Sequence, residues 1–139
     1  MDISIINPNN YPYANNLTAL NELNQELNLN LESLTIHFVS DEKLLDINKE
    51  YLHHDYYTDI ITFDLRDEWS SEAELFISFD RVKENALKLN LSEETELRRV
   101  CIHGLLHLSG LKDKTKEEEE EMRLKENKYL NLLFHVKQA

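Results

Sequence analysis

His103 and His107 stand four residues apart in the segment Cys101-Ile-His-Gly-Leu-Leu-His-Leu-Ser-Gly110. On a helix that spacing stacks two imidazoles on one face, one turn apart, which is how a helix offers two nitrogens to a single metal ion. Gly110 follows the second histidine by three residues and Asp113 follows it by six. Glycine readily takes the left-handed conformation that stops a helix and turns the chain back. Asp113 can then return to the histidine face. Two nitrogens and one carboxylate oxygen leave a tetrahedral ion an open position for water. The expected site is His103, His107 and Asp113 around one zinc ion, arranged for hydrolysis.

The pattern H-x-x-x-H-x-x-G-x-x-D has the ligand spacing of metzincin proteases, with aspartate in place of the third histidine. Those proteases place a glutamate directly after the first histidine as general base, and here that residue is Gly104. A protease of metzincin type is therefore disfavoured. Phosphodiester hydrolysis stays open, because a bound metal still acidifies water and polarises a phosphoryl oxygen. The residues assign no proton-transfer partner. The chain has two glycines, Gly104 and Gly110, and both lie in this segment. Gly104 sits mid-helix, at a cost of about 1 kcal/mol relative to alanine. Counted from Leu97 it falls between the histidine face and the core face. A missing side chain there admits another backbone, or a substrate. The alternative is a helix crossing at glycine with both histidines hydrogen-bonded in the core, which leaves Asp113 unexplained.

The elements that must position these groups follow from periodicity. Ser92 caps a helix running to Leu108, apolar almost all round after Arg99 and so central to the fold. Ile3–Ile6, Leu34–Val39, Asp59–Leu65 and Glu74–Phe79 read as strands. Leucines at 17, 20, 23 and 27 predict a helix over Tyr13–Leu29. Ser40 or Asp41 caps a helix that buries Leu44, Leu45, Ile47 and Tyr51. Asp80 caps one that buries Val82, Ala86 and Leu89. A last helix runs from about Lys116 to Phe134, with Met122, Tyr129, Leu130 and Leu133 on one side. This order implies one α+β domain over residues 1–139, a small mixed sheet packed with about five helices.

The composition is that of a globular protein, with 41% hydrophobic and 30% charged residues in a chain of 139. No leader and no spanning segment is visible, so a cytoplasmic protein without a membrane partner is expected. Cys101 is the only cysteine, which excludes an intramolecular disulfide and any thiolate-rich metal site. A net charge of −12 argues against a general nucleic-acid binder. Part of that excess is the run Glu117–Glu121, which reads as a solvated helix face.

Two blocks of sequence resemble the YbeY family, bacterial rRNA maturation factors regarded as metal-dependent, single-strand-specific endoribonucleases. The family's H-G-x-L-H-L-x-G-Y-D-H is matched by His103-Gly-Leu-Leu-His107-Leu-Ser-Gly110-Leu-Lys-Asp113, and its N-x-x-Y-R-x-x-D-x-P-T-D-V-L-S-F by Asn48 to Phe63. A strand similar to G-D-I-x-I follows at Ala73-Glu74-Leu-Phe-Ile77. The resemblance implies a zinc-dependent endoribonuclease acting on single-stranded rRNA, with the ribosomal subunit or its proteins as partners. Three departures stand out. Asp113 replaces the third histidine, Ala73-Glu74 replaces glycine-aspartate, and Leu52 replaces an arginine thought to help catalysis. Arg99 or Arg66 could supply that cation, or be a surface charge. An acidic chain would meet RNA through a local basic strip such as Arg98, Arg99, Lys112, Lys114 and Lys116, or through a ribosomal protein. His53 and His54 lie in the connection that faces substrate in the resembled family. Tyr56 and Tyr57 there either stack on unpaired bases or pack. A metal-containing ribosome-assembly factor with little nuclease activity is the rival reading.

Overall fold

Alternating side chains organise the sheet. In the computed structural model, which describes residues 1–136, β1 (Asp2–Ile6), β2 (Ser33–Val39), β3 (Ile60–Asp64) and β4 (Glu72–Ser78) form one sheet in the order β1-β2-β4-β3. The first two and β4 run parallel, and β3 lies antiparallel along β4. Leu34, Ile36 and Phe38 of β2 share a face with Ala73, Leu75 and Ile77 of β4, and none is more than 1% exposed. The period of two sends Ile60 and Thr62 of β3 to that same face and Ile61 and Phe63 to the other.

Five helices are described: α1 (Leu20–Glu26), α2 (Asp41–Leu52), α3 (Phe79–Leu89), α4 (Glu93–Leu108) and α5 (Lys116–Phe134). α4 contributes Leu97, Val100, Cys101, Ile102, Leu105 and Leu106 to the main core on the first face. Each such side chain stabilises the fold by roughly 1.5–3 kcal/mol through burial. α2 covers part of the second face with Leu44 and Ile47 against Ile61, Phe63 and Phe76. This is the expected α+β architecture, with a central helix packed on a mixed sheet. Among the described residues no helix is long and apolar enough to cross a membrane.

Several local expectations change. The helix expected over Tyr13–Leu29 is regular only over Leu20–Glu26. Tyr13 takes a left-handed φ of 71° and the backbone from 12 to 19 turns rather than coils regularly. Leu17 is nevertheless buried, so the leucine spacing reported burial and not helix. Tyr51 is 61% exposed, because α2 covers only a strip of the sheet, and Leu89 at the end of α3 is also exposed. Ser78, not Asp80, caps α3 by accepting the Arg81 N–H at 3.2 Å. Asp80 accepts instead from the Asp41 N–H, tying α3 to the start of α2.

Candidate metal centre and cleft

α4 begins and ends on identifiable signals. The Ser92 hydroxyl accepts from the Thr95 N–H at 3.0 Å, and Glu93, Glu94 and Glu96 occupy the first turn, where acids suit the helix dipole. At the far end Gly110 has φ +98°, and the Leu111 N–H donates to the Leu106 carbonyl at 3.2 Å. This left-handed turn sends the chain back toward the histidines. Arg66 adds a donor to the Leu108 carbonyl at 2.7 Å, so the guanidinium closes the helix end.

The turn delivers Asp113 to the histidine face. Its Oδ2 lies 3.2 Å from His103 Nε2 and 3.3 Å from His107 Nε2, and the two Nε2 atoms are 2.9 Å apart. Donors on a tetrahedral zinc, at bond lengths near 2.0–2.1 Å, sit about 3.3 Å from one another. The rings meet edge to face, with centroids 4.5 Å apart and planes at 82°.

What lies behind the rings sets their tautomers. His103 Nδ1 donates to Glu126 Oε2 at 2.6 Å, and His107 Nδ1 donates to the Leu111 carbonyl at 2.9 Å. With both Nδ1 atoms donating, each neutral ring turns the Nε2 lone pair toward the other and toward a carboxylate oxygen. Three lone pairs converging without a cation repel one another, so the donor set fits a divalent ion. Outer partners of this kind fix ring orientation in metal sites.

Glu126 is absent from the expected site, although it sits on the stripe Met122, Glu126, Tyr129, Leu130 that marks the buried side of α5. An acid on a core stripe signals a buried partner. It is 2% exposed, and its second oxygen accepts from Arg99 Nη1 at 2.8 Å. Arg99 in turn donates twice to the fully buried Glu96, both at 2.6 Å. Burial works against the charge on Glu126, but bonds and charges from His103 and Arg99 hold its carboxyl below the usual range. His103 is likewise opposed by burial and raised above the ordinary histidine value by Glu126, with smaller help from Asp59 and Asp113.

This corrects the reading of Arg99 as a surface charge or part of an RNA-binding strip. It is 7% exposed, hydrogen-bonded to Glu96 and Glu126, and within 3.9 Å of Asp59. Arg98 pairs with Glu94 at 3.3 Å and lies 4.6 Å above the Phe134 ring. Arg66 is bound to both oxygens of Asp64 at 2.8 Å as well as to the helix end. Neither Arg66 nor Arg99 is therefore a free substitute for an arginine at Leu52.

Gly104 faces the sheet. A Cβ there would stand 2.9 Å from Ile60 Cδ1, 3.0 Å from Leu75 Cδ2 and 3.2 Å from Thr62 Oγ1. The glycine is what lets β3 and β4 come up against the helix beside the histidines. A glutamate general base after His103 has no room. Gly104→Ala should destabilise by about 1–2 kcal/mol, overpacking offset by better helix propensity, and Gly104→Glu by well over about 3 kcal/mol, because it also buries a charge. Chemical denaturation measures both.

A cleft of about 440 Å³ opens over the histidine pair, bounded by the 52–64 segment and the end of α4. Leu52, His54, Tyr56, Asp59, Thr62 and Asp64 line it together with His103 and His107. Tyr56 and Tyr57 are about half exposed, at 56% and 49%, with one ring face of Tyr56 against His54 and Arg81 lying 5.0 Å over the Tyr57 ring. His53 caps α2 in the left-handed conformation, and His37 pairs with Glu74 at 3.0 Å on the far face of the sheet. Cys101 is fully buried and its thiol is pushed up to about 12 by burial, so it is no nucleophile.

The fold and site define a class of α+β proteins that present a His–His–carboxylate donor set from the end of a central helix. Comparison with known proteins narrows it. A family model of endoribonuclease YbeY matches residues 9–133. The endoribonuclease YbeY of Cytophaga hutchinsonii is 48% identical over 116 residues, covering 83% of this chain and 81% of that protein. That of Porphyromonas gingivalis strain W83 is 53% identical over 96 residues, 69% of this chain and 64% of that protein. The solution structure of TM1509 from Thermotoga maritima superposes with a TM-score of 0.67 at 28% identity, covering 96% of this chain and 89% of that one. The chain belongs to the endoribonuclease YbeY family, a family of hydrolytic nucleases.

Proposed function

We propose that residues 1–139 form one metal-dependent hydrolase domain that cleaves single-stranded rRNA during ribosome maturation, in the cytoplasm and in contact with the ribosomal subunit or its proteins. His103, His107 and Asp113 would hold one zinc ion through Nε2, Nε2 and Oδ2. The observation that carries this reading is the convergence of those three atoms at 2.9–3.3 Å with both Nδ1 atoms already committed elsewhere. A divalent ion bound there supplies Lewis acidity to a phosphoryl oxygen and acidifies water. Glu126 and the Leu111 carbonyl hold the imidazoles in the ligating tautomer. The cleft of about 440 Å³ beside them is the space open to substrate. Zinc suits this nitrogen-and-carboxylate set.

Purified protein should carry about one equivalent of zinc and cleave single-stranded rRNA in a chelator-sensitive way. Equal cleavage by wild type and His107→Ala would sink the nuclease reading. The rival, an assembly factor with bound metal and little turnover, draws on one observation: the lining of the cleft holds no lysine or arginine among the described residues. Full zinc occupancy with no turnover would favour it. A casein digest free of chelator-sensitive products would close the protease alternative.

A further inference from the structure

The cleft is short of positive charge where a phosphodiester must sit. Asp59 and Asp64 line it, Arg66 is spent on Asp64 and Leu108, and Arg99 is hydrogen-bonded to Glu96 and Glu126 behind the histidines, with Asp59 a further 3.9 Å from its guanidinium. The Asn48 amide donates to the Tyr56 carbonyl at 2.9 Å, and the Thr58 hydroxyl to the Ile60 carbonyl at 3.4 Å. His103 and His107 face each other. The remaining side-chain donors in the lining are His54, Tyr56 and Thr62, and of these only His54 offers an N–H.

The backbone at His54 is held in place. Its main-chain N–H donates to the carbonyl of Asn48, itself 1% exposed, at 3.1 Å, while the Asn48 side chain donates to the Tyr56 carbonyl. The connection after α2 is thereby pinned from inside. The His54 and Tyr56 rings stack with centroids 5.1 Å apart and planes at 20°, and the Tyr56 hydroxyl lies 3.0 Å from His54 Nδ1. A phenol is a better donor than acceptor. With its O–H given to Nδ1, the neutral imidazole carries its proton on Nε2.

We propose that His54 is a catalytic residue of this cleft, donating its Nε2–H to a non-bridging oxygen of the scissile phosphodiester. Tyr56 is the positioning residue that keeps the imidazole in the donating tautomer. The inference rests on the nuclease reading above. A preorganised donor in a site without lysine or arginine stabilises the charge that grows on the phosphoryl oxygens as the bond to water forms.

The test is steady-state cleavage of a single-stranded RNA by zinc-loaded protein, with zinc content and melting temperature measured for every variant. His54→Ala should lower kcat by about 10²-fold, the usual loss for one such donor, with KM within about twofold and zinc and melting temperature as in wild type. His54→Gln, which retains an N–H donor, should recover about 10-fold of that loss, and Tyr56→Phe should lie between His54→Ala and wild type. Wild-type kcat in His54→Ala overturns the proposal, as does a loss confined to KM, or a loss accompanied by missing zinc or a lowered melting temperature. If wild type cleaves and His107→Ala does not, the nuclease reading stands whatever His54 does. If zinc-loaded wild type fails to cleave, both fall.

Discussion

His107→Ala should cost the protein its zinc while leaving it folded. The ring is partly exposed, at 31% of its side-chain surface, so its removal opens little core. Losing one of three ligands should weaken zinc by more than the roughly 10–100-fold typical of an outer hydrogen-bonding partner, and cleavage should fall by about 10³-fold or more as the Lewis acid departs. Asp113→Ala should behave alike, because the 3.2 and 3.3 Å approaches to both imidazoles are made by one carboxylate oxygen. Two measurements decide the matter. Elemental analysis should show about one zinc per chain in wild type and little in either variant. Added zinc at about 1,000 times its Kd should stabilise wild type by about 4 kcal/mol and the variants far less. Full metal in Asp113→Ala would remove Asp113 from the ligand set.

Glu126→Ala should be the most damaging truncation of a polar side chain near the site. It deprives Arg99 of one of its two hydrogen-bonded carboxylates and His103 of its anchor, inside a packed helix pair. Breaking a buried charged network in this way costs about 3 kcal/mol, the low end of its class because Glu96 still holds Arg99. In a domain of this size that lowers the melting temperature by about 10 °C. Glu126→Gln separates fold from site. Arg99 and His103 bond different carboxylate oxygens, so in Gln the NH2 must face one of these two donors and zinc affinity should fall by about 10–100-fold, with a smaller loss of stability than in Glu126→Ala. Zinc titration and thermal melts of the same two variants test this, and unchanged zinc affinity in Glu126→Gln would show that the His103–Glu126 bond does not orient a ligand.

The same pair sets a pH window in the metal-free protein. Glu126 has a lowered carboxyl, so the stability it contributes is present above its unfolded value of about 4.3 and is lost as pH falls through the lower folded value. His103 is raised, so its contribution is complete below about 6.5 and is lost as pH rises through the higher folded value. Stability from the pair therefore peaks between about 4.3 and 6.5, and Glu126→Gln should flatten that maximum.

How much of this was legible beforehand depends on whether the determining contact was local. His103, His107 and the glycine turn to Asp113 span eleven residues, so helix geometry and the freedom of Gly110 at φ +98° bring them together with little help from the rest of the fold. The strands, the central helix and its Ser92 cap were readable for the same reason. Where the contact crosses the fold, the signal failed. Arg99 looked like a surface charge because Glu126, its second partner, is 27 residues away on another helix. Tyr51 carried a core-like spacing but lies where α2 overhangs the sheet edge. Leu17 kept helical spacing in a segment whose backbone turns.

The sequence alone therefore determined that His103, His107 and Asp113 come together and which family's motifs the chain carries, since both are written in short runs whose geometry the helix imposes. Only the tertiary structure decided which charges remain free to act. It buried Arg99, spent Arg66 on Asp64 and a helix end, pressed Gly104 against Ile60 and Leu75, and put His54 on the wall of a cleft without lysine or arginine. Those outcomes depend on which helix meets which strand, and pairings of that range leave no trace in local spacing.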